Sequence, residues 1–179
     1  MLTDLTVDEV RALFTYDKED GIIRLKNASG RYGRYPAGSP AGQNHPEGYR
    51  YVRIGEKLYR VSRLIWLHVT GEWPKHQVDH KDLNPSNDKW ENLREATSSQ
   101  NKANCGKYKA EKASCHLKGV QAVQKRRSIR YRAIATKDGV RQHLGYFGTP
   151  EEAHAAYLKA SEELHGEFAN DGTRKLNDD

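Results

Sequence analysis

The stretch CGKYKAEKASCHL, residues 105–117, constrains the fold of this chain most. It is polar, lysine-rich and without apolar periodicity, so it cannot join the segments before and after it into one hydrophobic face. A linker of that composition predicts two small modules, each with its own core. The chain's 179 residues suffice for this, at 36% hydrophobic and 30% charged. No apolar run approaches the ~20 residues of a membrane helix, so no membrane partner is expected. The opening MLTDLTVDEV lacks the basic start and apolar stretch of a signal peptide. Cys105 and Cys115 make no disulfide framework, and the expectation is an intracellular, cytoplasmic protein.

The net charge of +6 is unevenly spread. Twelve Lys or Arg stand between Lys102 and Phe147 against two acids, Glu111 and Asp138, while the rest of the chain is net acidic. A concentrated basic block suits a polyanion, because each cation that neutralises a phosphate releases counterions. Charge alone leaves a solvated basic face equally open.

Order is signalled locally. Thr6 can cap a helix over residues 5–14, with Glu9 three residues later and Leu5 and Val10 in the staple positions. TYDKEDGIIRLKN reads as a hairpin turning at Asp20-Gly21. Residues 27–48 are rich in Gly and Pro and predict a loop, from which Arg31, Arg34 and the neighbouring tyrosines could reach a DNA backbone. Two strands about a Gly55-Glu56 turn follow, and Ser62 is expected to cap a short helix that stops at Gly71.

The segment VDHKDLNPSNDKWENLREATSSQNKAN carries the chemistry. Asp79-His80 ends a short strand, Asn92 follows His80 by twelve residues and Asn101 by twenty-one. Ser98 is expected to cap a helix with Asn101 in its first turn. The polar loop between, with Asn84-Pro85 and Asn87-Asp88 as turn residues, is long enough to bring these elements together. Phosphodiester cleavage needs a base for water, positive charge for the transition state, and groups that hold both in line. A histidine suits the first task near neutral pH. Asp79 and Asn101 offer hard oxygens, which favour one Mg²⁺ or Mn²⁺ ion over zinc, with water and phosphate completing its shell.

That segment, with VSRLIWLHVTGEWP upstream, resembles the HNH endonucleases over roughly residues 50–104. The likeness is greatest to phage- and intron-encoded homing enzymes in which asparagine replaces the final histidine. The resemblance implies a ββα-metal fold, Asp79 and Asn101 as metal ligands and His80 as general base. Asn92 would hold the loop and orient His80 without touching the metal. Arg94 would contact the scissile phosphate or the DNA backbone, and Asn104 would bind phosphate or cap polar contacts. His45, His68 and His76 read as structural or surface histidines. Cys105, Cys115 and His116 could supply three zinc ligands, but without a paired C-x₂-C they read as free thiols beside a linker.

Beyond the linker, residues 118–148 alternate well enough for three short strands, with turns near 126–128 and at Asp138-Gly139. A helix follows: Thr149 caps, Pro150 takes the first turn, Glu152 completes a capping box and Gly166 closes. Ala153, Ala156, Tyr157, Ala160 and Leu164 form one face. KGV, YRAIA, HLGYFGTPEEAHAAY and HGEFAN in this stretch resemble the Apetala-two/ethylene-response-factor type of DNA-binding domain. The resemblance implies a three-stranded sheet backed by one helix, the sheet entering the major groove. By strand alternation Tyr131, Ala133 and Leu144 look inward or intermediate, and Arg130 and Arg132 outward. Gln121, Gln124, Arg126, Arg127, Arg130, Arg132, Arg141 and His143 are the candidates for base or phosphate contact.

The reading is thus an α+β chain. Residues 1–48 form an N-terminal helix, hairpin and loop, 49–104 the nuclease module, 105–117 the linker, 118–170 the DNA-binding sheet and helix, and 171–179 a tail. The expected activity is metal-dependent cleavage of double-stranded DNA, with no organic cofactor and the oligomeric state left open. The competing reading is a non-catalytic, sequence-specific DNA-binding regulator with a decayed nuclease module. The intact Asp79, His80, Asn92 and Asn101 set speaks against it. A third reading, an RNA-processing nuclease, is disfavoured by the few stacking aromatics expected on the sheet.

Overall fold

The computed structural model describes residues 5–105, 115–125 and 128–172 (Arg31 by its backbone alone), and the chain divides into two units, Met1–Glu95 and Ala96–Asp179.

In the first unit, helix α1 (Val7–Leu13) opens on a complete capping box. The Glu9 N–H donates to Thr6 Oγ1 at 3.3 Å and the Thr6 N–H donates to the Glu9 carboxylate at 2.7 Å, which satisfies two otherwise orphaned donors. The helix leads directly into β1 (Phe14–Asp17), paired antiparallel with β2 (Ile22–Leu25). Gly21 closes their turn at φ 72°, and a Cβ there would come within 2.5 Å of the Lys89 nitrogen. Only glycine lets the hairpin tip lie so close to the backbone of residues 88 and 89.

The glycine- and proline-rich stretch is tied to β2 by the Leu25 N–H to Ser39 carbonyl bond (2.9 Å) and the Ala41 N–H to Ile23 carbonyl bond (2.8 Å). It also supplies the short strand β3 (Gln43–Asn44), which lines up with β4 (Arg50–Ile54) and β5 (Lys57–Arg60) in an antiparallel sheet. Strand β5 runs straight into α2 (Val61–Thr70), and here the expected cap is corrected. The N-cap is Arg60, without a side-chain cap bond, while Ser62 is buried at 1% exposure. A strand that feeds a helix without a turn puts Ser62 inside the first turn, facing the core. Helix α2 stops at Gly71, φ 86°. Strands β6 (Gln77–His80) and β7 (Leu93–Ala96) form a two-stranded sheet.

Val10, Phe14, Ile23, Val61, Leu64, Ile65, Leu67, Val78 and Leu93 make one core cluster with Ala41. Residues before 49 and after it therefore share a core. Burying each such side chain contributes ~1.5–3 kcal/mol, so the N-terminal helix and hairpin are scaffold for the strand that carries Asp79 and His80.

The second unit begins with helix α3 (Ser98–Asn104), where the expected cap is again corrected. Thr97, not Ser98, is the N-cap: the Gln100 N–H donates to Thr97 Oγ1 and the Thr97 N–H to Gln100 Oε1. Glutamine three residues after Thr97 completes the box, and Asn101 then donates the first helical bond, to the Thr97 carbonyl at 2.9 Å.

Strands β8 (Val120–Lys125), β9 (Ser128–Lys137) and β10 (Val140–Phe147) form an antiparallel sheet with β9 in the centre. Helix α4 (Pro150–His165) starts on the Thr149–Glu152 capping box with Pro150 at its first position. Ala133 clusters with Ala153, and Ala135 with Tyr157 and Ala160, so small residues on strand and helix allow close approach. Gly119 is required for the same reason: its φ is 75° and a Cβ would lie 2.1 Å from the Tyr157 ring. Lys118 Nζ donates to the carbonyls of Ala103, Cys105 and Asn170, and Asn170 Nδ2 donates to the Asn104 carbonyl at 2.8 Å. These bonds hold α3 within the second unit, which is why the division falls at residues 95 and 96 rather than inside 105–117. Residues 106–114 of that stretch lie outside the described residues. Among the described residues no helix is long and apolar enough to cross a membrane.

Candidate active site

Strand β6 points Val78 into the core and ends on Asp79 and His80, which are 5% and 4% exposed. Adjacent strand residues face opposite sides, so two buried ionisable groups side by side need separate partners. Asp79 Oδ2 accepts a hydrogen bond from Arg94 Nε on β7 at 3.0 Å. His80 Nε2 lies 2.9 Å from Asp88 Oδ1. A carboxylate at that nitrogen favours the tautomer in which Nε2–H donates and Nδ1 is the acceptor.

Asp88 is 2% exposed, and its second oxygen is buried without a hydrogen-bond partner among the described residues. Its backbone is held from the hairpin: Tyr16 Oη donates to the Asp88 carbonyl at 2.8 Å, and Gly21 lies against residues 88 and 89. Burial, and then the charge of Asp88, push the Tyr16 phenol upward, which keeps it a donor.

The loop between β6 and β7 is built from its own side chains. Asp82 Oδ1 accepts the Asn84 N–H, and Asn84 Oδ1 accepts the Ser86 N–H. Asn92 Oδ1 accepts the Asp82 N–H at 3.0 Å, while Asn92 Nδ2 donates to Asp82 Oδ1 and to the Asn87 carbonyl. Asn92 is thus the clasp of the loop, with its whole amide group used. Beside it, the Tyr49 ring lies 6.0 Å from the His80 ring, and the Arg60 guanidinium covers Tyr49 at 3.9 Å.

Residues 59–103 match the HNH endonuclease family. The match runs from β5 into α3 and includes Asp79, His80, Asn92 and Asn101. An uncharacterised HNH endonuclease from Acanthamoeba polyphaga mimivirus is 36% identical over 112 residues, covering 62% of this chain and 55% of that protein. The chain therefore spans about half the length of the curated relative it matches. No solved structure matches the chain. These likenesses support a nuclease.

The structure brings four of the HNH residues considered above into the first unit: Asp79, His80, Asn92 and Arg94. Arg94 is 10% exposed, and its Nε bonds the Asp79 carboxylate. Asn101 is half-buried on α3 in the second unit. Asn104 is buried at 1% exposure with its carbonyl bonded to Asn170, a place inside the second unit's packing rather than on a DNA-facing surface. Asp88, the side chain that bonds His80, escaped sequence reasoning because Asn87-Asp88 reads as a turn. Its one signal was an acid eight residues after the histidine in the same polar loop.

HNH nucleases use a divalent metal. Asp79 offers a hard carboxylate oxygen, and among the described residues no group of three His, Cys, Asp or Glu is assembled. A hard carboxylate oxygen suits an ion that keeps most of its shell for water and phosphate. Cys105 and Cys115 are free thiols, exposed and buried respectively.

Outside the HNH match, the sheet of the second unit sorts its candidates by register. Gln121, Arg132 and Tyr146 align across the three strands, with Arg132 Nη2 donating to Gln121 Oε1. Lys125 Nζ sits 4.1 Å over the Tyr146 ring and His143 packs beside it at 4.9 Å. Arg130, Arg141 and His143 are exposed. Gln124, which pairs with Ile129, is exposed as well. Arg126 and Arg127 lie outside the described residues. Tyr146 is an exposed aromatic on the outward face that the sequence reading did not single out.

Proposed function

We propose that this chain is a divalent-metal-dependent endonuclease of the homing type that cuts double-stranded DNA. The observation that carries the reading is the buried Asp79–His80 pair at the end of β6, each member held by its own partner within the HNH match. On this reading the ββα-metal arrangement comprises β6, β7 and α3. In this proposal Asp79 and Asn101, both within the matched residues, are the oxygen ligands of the metal. When bound, the ion supplies positive charge at the scissile phosphate and the departing oxygen.

The chain's own residues do the rest. Asp88 accepts the His80 Nε2–H and fixes the ring. His80 Nδ1 takes a proton from water, and the resulting hydroxide oxygen bonds to phosphorus. The P–O3′ bond breaks and its electron pair stays on O3′, which is protonated to a hydroxyl, so the products carry 5′-phosphate and 3′-hydroxyl ends. Arg94 keeps the Asp79 carboxylate oriented, and Asn92 clasps the loop that carries Asp88.

The second unit, in this proposal, places the cut. The outward side chains Gln121, Arg130, Arg132, Arg141 and His143 meet the duplex in the manner of an Apetala-two sheet, with Tyr146 among them. Supercoiled plasmid incubated with the protein and Mg²⁺ is expected to become nicked or linear, and to stay intact with EDTA. Binding without any Mg²⁺-dependent cleavage would leave the regulator reading in its place.

A further inference from the structure

The segment leading into β4 lies against the loop that carries Asp88. Ser86 Oγ donates to the Gly48 carbonyl at 2.8 Å, and Gly48 is so close to Pro85 that a Cβ would come within 2.7 Å of that ring. Tyr49 follows, its ring packed 6.0 Å from the His80 ring. The Arg60 guanidinium covers Tyr49 at 3.9 Å, and Arg60 Nη2 donates to Tyr51 Oη at 3.2 Å. Tyr51 and Arg60 pair across β4 and β5, whereas Val52, Ile54 and Tyr59, of the opposite alternation, pack on the core. Arg60 therefore stands, partly exposed, on the face of that sheet turned away from the core, and Tyr49 touches both it and His80.

The cations of the first unit are compensated unequally. Arg24 is bonded to Asp20 and Arg94 to Asp79. Arg60 has two tyrosines and, among the described residues, no carboxylate. A ring cancels no formal charge, and stacking uses only the flat side of a guanidinium, so in-plane N–H groups remain for an anion. Strands β4 and β5 hold Arg50, Arg53, Lys57 and Arg60 and no acid, so they set no carboxylate against an approaching oxyanion. A planar cation, fixed by rings and left uncompensated, fits the paired oxygens of a phosphodiester.

We propose that Arg60 binds a backbone phosphate of the duplex beside His80, with Tyr49 as the platform that fixes its guanidinium. The assignment rests on the DNA-cutting reading, and gives that site a phosphate contact separate from the Asp79–Arg94 pair. Held there, the phosphate keeps the strand in line for the base. Arg60 is the N-cap of α2 through its backbone alone, with no side-chain cap bond, so substitutions at this position remove no cap.

The test measures the affinity of the full chain for a mixed-sequence duplex in EDTA over a series of salt concentrations, and the plasmid cleavage rate in Mg²⁺ at saturating DNA. Arg60→Ala and Arg60→Gln should each flatten the log–log salt slope by about one. Both should also slow cleavage, by up to roughly 100-fold, because the phosphate is no longer held in place. Arg60→Lys keeps the charge and should keep the slope, while its lost planar fork restores the rate only in part. A wild-type slope in both neutral variants would overturn the contact and leave the nuclease reading standing. An Arg60→Lys slope as shallow as that of Arg60→Ala would also overturn it, since charge would then not be what matters. A flattened slope with a wild-type rate at saturating DNA would overturn the place beside His80. The expected slopes without any cleavage by wild type in Mg²⁺ would uphold the contact and sink the nuclease reading.

Discussion

Asp79, His80 and Asp88 in the first unit are each at most 5% exposed, whereas Tyr146 on the second unit's sheet is 44% exposed and Arg130, Arg141 and His143 stand in the open around it. Both regions are polar, yet they place polarity differently. The first desolvates its charges and fixes each with a partner, as a site needs when it must present charge in one geometry without reorganising. The second leaves its cations exposed to water, which suits phosphate contacts that position a duplex. On the proposed reading, cutting belongs to the first arrangement and placing to the second.

Neutralising a charge should therefore cost stability in one unit and only affinity in the other. Arg94→Met removes the partner of a buried carboxylate and is expected to destabilise the first unit by about 3–5 kcal/mol in urea unfolding. A loss under about 1 kcal/mol would mean the pair behaves like a surface bridge. In the second unit the weak point is steric. Gly119→Ala drives a methyl into the Tyr157 ring at a left-handed residue and should cost about 2–5 kcal/mol, read as early loss of that unit's unfolding transition.

Asp88→Ala should lower turnover about 10–100-fold with KM nearly unchanged, and Asp88→Asn, which keeps an acceptor for Nε2–H, should recover part of it. An Asp88→Ala protein at wild-type turnover would remove Asp88 from the account. The smallest effect is expected on the sheet. Arg141→Ala should leave the melting temperature unmoved and reduce the salt slope of DNA binding by about one. A shift in melting temperature instead would show that the two surfaces are not as different as drawn.

The same contrast explains what could be read from the residues alone. Features written in a few neighbouring positions were legible: the Thr6–Glu9 and Thr149–Glu152 boxes, the turn at Asp20-Gly21, and the inward Ala133. Caps went astray where two candidates adjoin, as at Thr97 and Ser98, or where a strand enters a helix with no cap, as at Arg60. Partners brought together by tertiary folding left little local trace. Asp88 reaches His80 only because Tyr16 and Gly21, far back in the chain, hold residues 88 and 89 in place. Likewise, nothing in the neighbours of Arg94 shows that Asp79 sits across the strand pair.

The most direct measurement is the cleavage rate of supercoiled plasmid by His80→Ala in Mg²⁺, taken beside its affinity for the same DNA. The account predicts a loss of about 10²–10⁴-fold in rate with affinity unchanged. Cleavage by the variant at the wild-type rate would contradict it.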